Sequence, residues 1–201
     1  MAYPSVNGPY GLVPVKLVSG VPFVGVTRQY GIASNYGTSI FYGDAVQLVT
    51  GGTVERDTAD AAMTPIGVFL GCTYTDPVLG YQLFSQYYPA STVASDIQAI
   101  VADGTDLLFK VAVLSSAAGA TPVIGDLALT DIGANVAMIN NAGDTATGNS
   151  RCGISDTTAT TNTLPLRIVS LVAETKNSSG GYTEALVKWN AGHQMNNLTG
   201  V

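Results

Sequence analysis

Between Ile40 and Cys72 the chain repeats one local grammar: short apolar or alternating runs, each broken by turn residues before a helix could complete two turns. Ile40-Phe41-Tyr42 reads as a strand, Gly43-Asp44 as a turn, and residues 45–49 as a second strand. Within it Ala45, Gln47 and Val49 alternate with Val46 and Leu48, the period of two expected of a half-buried strand. Gly51-Gly52 turns the chain into Thr53-Val54-Glu55-Arg56, an Asp-rich loop follows, and residues 65–72 form the next apolar run. Gly-Asp and Gly-Gly provide the positive φ that tight reversals require. Nothing in this interval is arranged for chemistry. The reading is an all-β chain with at most short helical turns, built as a small β-barrel or sandwich-like domain or domains.

The same punctuation continues on both sides. Residues 1–26 hold Pro4, Pro9, Pro14 and Pro22 with Gly8, Gly11, Gly20 and Gly25, which excludes a helix and makes a poor central strand. Yet Tyr3, Tyr10, Leu12, Val13, Val15, Leu17 and Phe23 make the segment too apolar for a disordered tail. It reads either as an N-terminal strand folded back on its own domain or as an extended arm laid on a neighbouring subunit. After the organising stretch, residues 73–91 carry Tyr74, Tyr81, Phe84, Tyr87 and Tyr88, a long aromatic excursion that suits a loop or projecting hairpin. Tyrosine clusters serve cores and interfaces alike. On the interface reading, the candidate contact residues are Tyr3, Pro4, Tyr10, Leu12, Pro14, Val15, Tyr81, Tyr87 and Tyr88.

Residues 96–102 and 107–113 are apolar and β-branched around Asp103-Gly104, which predicts a β-hairpin. A short helical turn is expected at residues 115–119. From residue 123 the first half is weakly echoed, Ile124-Gly125-Asp126 against Tyr42-Gly43-Asp44 and Leu164-Pro165-Leu166 against Thr64-Pro65-Ile66. Two small barrels, or two halves of one β-domain, would produce such an echo; the halves would be 27–113 and 123–190. Residues 140–163 show no core pattern. A final strand is expected at residues 184–190, followed by a polar tail over 191–201.

Charge narrows the function. Charged residues are 11% of the chain, the net charge is −6, and the eight basic residues are scattered from Lys16 to Lys188. Average proteins carry about 25% charged residues, so this surface meets little electrostatic penalty in lattice contacts. No Lys/Arg cluster exists to neutralise phosphates, and no polybasic or amphipathic segment suggests a membrane. The N-terminus lacks the basic and apolar regions of a secretory signal. Synthesis in a cytoplasm is therefore expected, with Cys72 and Cys152 as free thiols. The sequons at Asn177 and Asn197 read as chance matches in a Ser/Thr/Asn-rich chain.

Catalytic and metal motifs are missing. His193 is the sole histidine, has no evident acid or nucleophile partner, and reads as exposed in the polar tail. No nucleophile elbow, phosphate loop, zinc-protease helix or dinucleotide fingerprint occurs. Asp44, Asp103, Asp126, Asp144 and Asp156 all fall in turns, where side-chain hydrogen bonding accounts for them. A calcium loop at residues 103–106 or 140–144 would lack the alternating oxygen ligands of a recognised site. The expectation is a protein that is not an enzyme and has no cofactor.

Several motifs resemble the head decoration, or cement, proteins of tailed bacteriophages. They are Gly11-Leu12-Val13-Pro14-Val15, Gly20-Val21-Pro22, Arg28-Gln29-Tyr30, residues 36–40, Gly43-Asp44-Ala45-Val46 and Pro65-Ile66-Gly67-Val68. In the second half they are Val101-Ala102-Asp103, residues 131–135, Leu164-Pro165-Leu166-Arg167-Ile168 and residues 186–190. The resemblance implies a β-rich virion protein on the outer face of the capsid, bound to the major capsid protein, often as a homotrimer, stabilising the expanded shell. Two other readings stay open. One is a different virion β-protein, such as a head-fibre base or tail component. The other is a carbohydrate-binding β-module with Tyr81, Tyr87, Tyr88 and Trp189 as a stacking platform.

Overall fold

The computed structural model describes residues 6–115, 122–176 and 181–196. The helical turn expected near 115–119 falls almost wholly outside these residues, as do Tyr3, Pro4 and both sequon asparagines. The described chain is almost entirely β, with one 3-10 turn at Leu129–Asp131 and one α turn, α1, at Ala173–Lys176. Among the described residues, twelve strands are arranged in two sheets.

One sheet contains β1 (Val13–Leu17), β8 (Leu107–Leu114), β9 (Asn135–Ile139), β10 (Gly153–Ala159), β11 (Leu166–Leu171) and β12 (Glu184–Trp189). Five of these close into a barrel in the order β8-β10-β9-β11-β12, because β12 returns to pair antiparallel with β8 from Glu184↔Ala112 to Lys188↔Leu108. The other edge of β8 is shared: β1 pairs with its first half, antiparallel, and β10 with Val113 and Leu114, parallel. Closure removes exposed strand edges. The free edge of β1 is covered in turn by the chain's own reversal, where Leu17 N–H donates to Val21 O and Phe23 N–H to Val15 O.

The second sheet runs β2 (Arg28–Gly31), β7 (Gln98–Ala102), β5 (Gly67–Thr75), β3 (Ala45–Leu48), β4 (Val54–Arg56), with β6 (Gln82–Ser85) paired to the far end of β5. A single parallel bridge, Gly31↔Thr53, joins its two ends and curls it nearly into a second barrel. Each sheet encloses its own apolar cluster: Phe109, Met138, Ile154, Leu166 and Trp189 in the closed barrel, and Val46, Phe69, Tyr88, Ile97 and Val101 in the curled sheet. The first of these clusters also takes in Ala45, Met63, Val68 and Ala102 from the curled-sheet half of the chain, so the core is continuous across the seam between them.

Several expectations change here for identifiable reasons. β7 and β8 are strands as read, but they do not pair with each other; β7 pairs with β2 and β5, and β8 with β1, β10 and β12. Asp103-Gly104 is thus the crossing from one sheet to the other, and the changeover falls at residues 103–106 rather than at 113–123. Residues 40–42 are two isolated bridges, Ile40↔Tyr88 and Tyr42↔Asn149, because each residue reaches a different partner. The stretch 140–163, which shows no core pattern in sequence, contains β10, whose Ile154 is fully buried. Residues 124–129 form no strand, only the bridge Leu114↔Ile124. Of the N-terminal segment, Leu12 is fully buried and β1 is built into the chain's own sheet.

Candidate functional site

The seam is where polar side chains converge. Asp44 follows the turn at Gly43 and Arg56 ends β4, both on the curled sheet; Ser150 and Cys152 precede β10, and Asn140 and Asn141 follow β9, all on the barrel. The Arg56 guanidinium Nε lies 3.0 Å from Asp44 Oδ2, and both side chains are nearly out of solvent. Ser150 Oγ donates to Asp44 Oδ1 at 2.6 Å, and Phe41 N–H donates to Oδ2 at 2.9 Å. Arg56 Nη2 donates to the Asn141 carbonyl at 2.6 Å and to Cys152 Sγ at 3.3 Å. Burial pushes the Asp44 carboxyl above its ordinary value, against the pull of Arg56, Ser150 and the Phe41 amide. With a guanidinium at 3.0 Å that cannot release its proton, the pair stands as an ion pair at neutral pH.

Backbone contacts explain why glycine stands where it does at this seam. Leu12 N–H donates to Gly43 O at 2.9 Å and Gly11 N–H to Cys152 O at 3.0 Å. Gly11 and Gly43 have positive φ, +78° and +92°, and a Cβ on Gly11 would overlap the Gly43 carbonyl, while one on Gly43 would overlap Tyr10 O. The motifs Gly11-Leu12 and Gly43-Asp44, far apart in sequence, therefore meet face to face. Gly143 lies flat against the Phe41 ring, which stacks on Tyr87 at 5.3 Å.

Of the polar tail expected over 191–201, the described residues 191–196 form a strap against the body. Gln194 accepts from Leu48 N–H at 2.6 Å and donates to Leu48 O at 2.9 Å, completing the edge of β3, and its own N–H donates to Pro65 O. His193, expected to be exposed, is buried 5.7 Å from the Trp189 ring, and burial lowers its pKa. Its Nδ1 accepts from Met195 N–H at 3.3 Å, which fixes the neutral tautomer.

Further polar groups are committed to the frame. Asp103 is buried, 3.3 Å from Arg28 Nε and accepting from Tyr30 OH at 2.8 Å. Asp126 accepts from Leu127 N–H and Thr183 Oγ1, and Asp144 accepts from Ala146 N–H and Arg151. Asp156 accepts a long 3.5 Å contact from Thr157. Buried Glu184 receives Tyr10 OH and Lys110 Nζ, the latter at 3.0 Å. Among the described residues no group of three or more His, Cys, Asp or Glu converges as metal ligands. Cys72 and Cys152 are free and buried, and burial pushes their thiols up to about 12 and about 11.

The candidate contact residues separate. Leu12 and Tyr88 are fully buried and Pro14 is buried; Tyr10, Val15 and Tyr87 are half-buried; of those described, only Tyr81 stands out in solvent. Trp189 is core as well, so the four aromatics of a glycan platform do not share a surface. Many of the exposed large apolar residues fall in two stretches of the chain, of which the sequence reading had singled out Tyr81. On the turn between β5 and β6 these are Val78, Leu79 and Tyr81, with Phe84 beside them on β6. On the link between β1 and β2 they are Val18, Val21, Val24 and Val26. A signal for both was present: residues 17–27 and 77–95 contain no charged side chain. Comparison with protein-family models, with curated proteins and with solved structures finds no match to this chain.

Proposed function

We propose that this chain is a decoration protein of a tailed-bacteriophage head, binding the major capsid protein on the outer face of the expanded shell and joining subunits there. The observation that carries the reading is a pair of uncharged apolar surfaces mounted on a closed, cross-strapped β-frame. One lies on residues 18–26, the link from the barrel sheet to the curled sheet, and the other at the β6 end of β5. Large apolar side chains left in water along an uncharged stretch suit an interaction site. A frame whose polar side chains are committed to internal bonds is suited to transmit load between contacts.

The physics of a packaged head gives such a frame its task. A clamp that binds only the expanded lattice stabilises it by mass action. Many copies, each making modest contacts, hold the shell by avidity. Self-association, as the trimer of the resembled family, would multiply contacts per clamp in the same way.

Co-sedimentation of the purified protein with expanded and unexpanded shells of the cognate head tests the proposal. Saturable binding to expanded shells, reduced by Val24→Lys and Val26→Lys together, is the expected result. Failure to sediment with either shell would remove the reading.

A further inference from the structure

The geometry points to the strap over residues 191–196 as a latch that acid opens: protonation of His193 lifts it from the body and bares the backbone edge of β3 at Leu48. That edge needs a cover because β5 does not supply one. Continuing the antiparallel register Ala45↔Val68, Val46↔Gly67 to Leu48 places Pro65 opposite, and proline has no N–H for the Leu48 carbonyl. The Gln194 carboxamide stands in for the missing peptide group. It accepts from Leu48 N–H and donates to Leu48 O, while Gln194 N–H donates to Pro65 O at 2.9 Å. Gly192 lays the strap flat on the loop beneath, with φ +77° and so close to Met63 O that a Cβ would overlap it.

Next to Gln194, the imidazole of His193 is 1% exposed and packed against the Trp189 ring. Met195 N–H donates to its Nδ1, which leaves the proton of the neutral ring on Nε2. Among the described residues Nε2 meets no acceptor in hydrogen-bond geometry. A second proton would have to enter at Nδ1. There it faces the Met195 N–H, so the bond inside the strap is lost and a buried cation takes its place.

The charged groups around the ring do not rescue that cation. Asp103, after β7, favours it, but this carboxylate already holds Arg28 Nε at 3.3 Å and Tyr30 OH at 2.8 Å. On the loop leading to Met63, Asp57 accepts from the amides of Ala59 and Thr64, and Asp60 from Asn140. Lys188 precedes Trp189 on β12 and by strand alternation points to the other face; β3 carries no charge. Burial therefore outweighs Asp103 and the Ile66 carbonyl, and it lowers the pKa of His193 while the strap is closed. In the released strap the ring regains its ordinary value of about 6.5. Opening thus takes up a proton, and it grows as pH falls through that value.

The experiment is residue-resolved hydrogen exchange of the full chain at about pH 7.5 and about pH 5, each rate corrected for the intrinsic rate at that pH. The opening constant read at the Leu48 amide should rise by about threefold to about thirtyfold on acidification, thirtyfold being the ceiling for one histidine titrating from about 6.5. The amides of β8, which are protected by β1 and β12 rather than by the strap, should not follow. His193→Phe should abolish the rise, and Gln194→Ala should leave Leu48 open at both pH values. The inference is overturned by a rise under about threefold, by a rise of the same size in β8, or by a rise that survives His193→Phe. A Leu48 amide that stays protected in Gln194→Ala overturns it as well, since something other than the strap would then cover the edge.

Discussion

Replacing Arg56 by methionine isolates the electrostatics of the seam. Methionine keeps most of the aliphatic volume but strips Asp44 of the guanidinium at 3.0 Å, and it ends the bond to the Asn141 carbonyl that ties the curled sheet to the barrel. Removing one partner of a buried ion pair costs about 3–5 kcal/mol, because the other charge stays buried and uncompensated. Asp44 keeps Ser150 Oγ and the Phe41 amide as donors, which places the expected loss at the lower end, about 3 kcal/mol. For a chain of this length that corresponds to a fall of roughly 6–12 °C in thermal midpoint. Urea unfolding followed by fluorescence of the single tryptophan measures it directly. The loss should carry a pH signature. Without the guanidinium the Asp44 carboxyl rises further, so the folded state holds a proton that the unfolded state releases, and the deficit against wild type narrows from about pH 7.5 to about pH 5. Asp44→Asn combined with Arg56→Met should recover part of the loss. As a control, Arg151→Met breaks an exposed pair with Asp144, where solvent screens the charges, and should leave the urea midpoint where it is in wild type. An Arg56→Met protein within about 1 kcal/mol of wild type, or one with no change in deficit across that pH range, would refute the account of the seam.

Three other outcomes follow from the same structure. Ellman's reagent at about pH 8 should find no reactive thiol in the native protein and two after denaturation, since burial pushes Cys72 up to about 12 and Cys152 to about 11. His193 has a folded pKa below its unfolded value of about 6.5, so its contribution to stability is complete above that pH and is lost as pH falls through the folded value. His193→Phe should flatten the difference in urea midpoint between about pH 7.5 and about pH 5.5, and an unchanged slope would show that the ring is not buried. Leu12→Ala should lose about 2–5 kcal/mol in the same urea assay, because Leu12 is core; a loss under about 1 kcal/mol would mean that residues 6–17 detach from the body.

The sequence by itself determined the all-β character and part of the strand inventory. Period-two runs, β-branched residues and Gly-Gly or Gly-Asp turns act over a few neighbours, so β3, β5, β7, β8 and β12 were legible from local pattern, whereas β9 and β10 were not. The low charge likewise follows from composition alone, as does the absence of a recognised catalytic motif. Only the tertiary structure decided which strands pair. Asp103-Gly104 has the local chemistry of a hairpin, yet burial of Val101 in one core and Phe109 in another pulls its flanking strands into different sheets. Asp44 reads as a turn residue and is one, through the Phe41 amide; its second role beside Arg56, Ser150 and Cys152 depends largely on contacts distant in the chain. His193 and Gln194 look like a polar tail because their nearest neighbours in the chain are mostly polar. Their environment is supplied by Trp189, Leu48 and Pro65 through packing across the fold, which a local pattern does not encode.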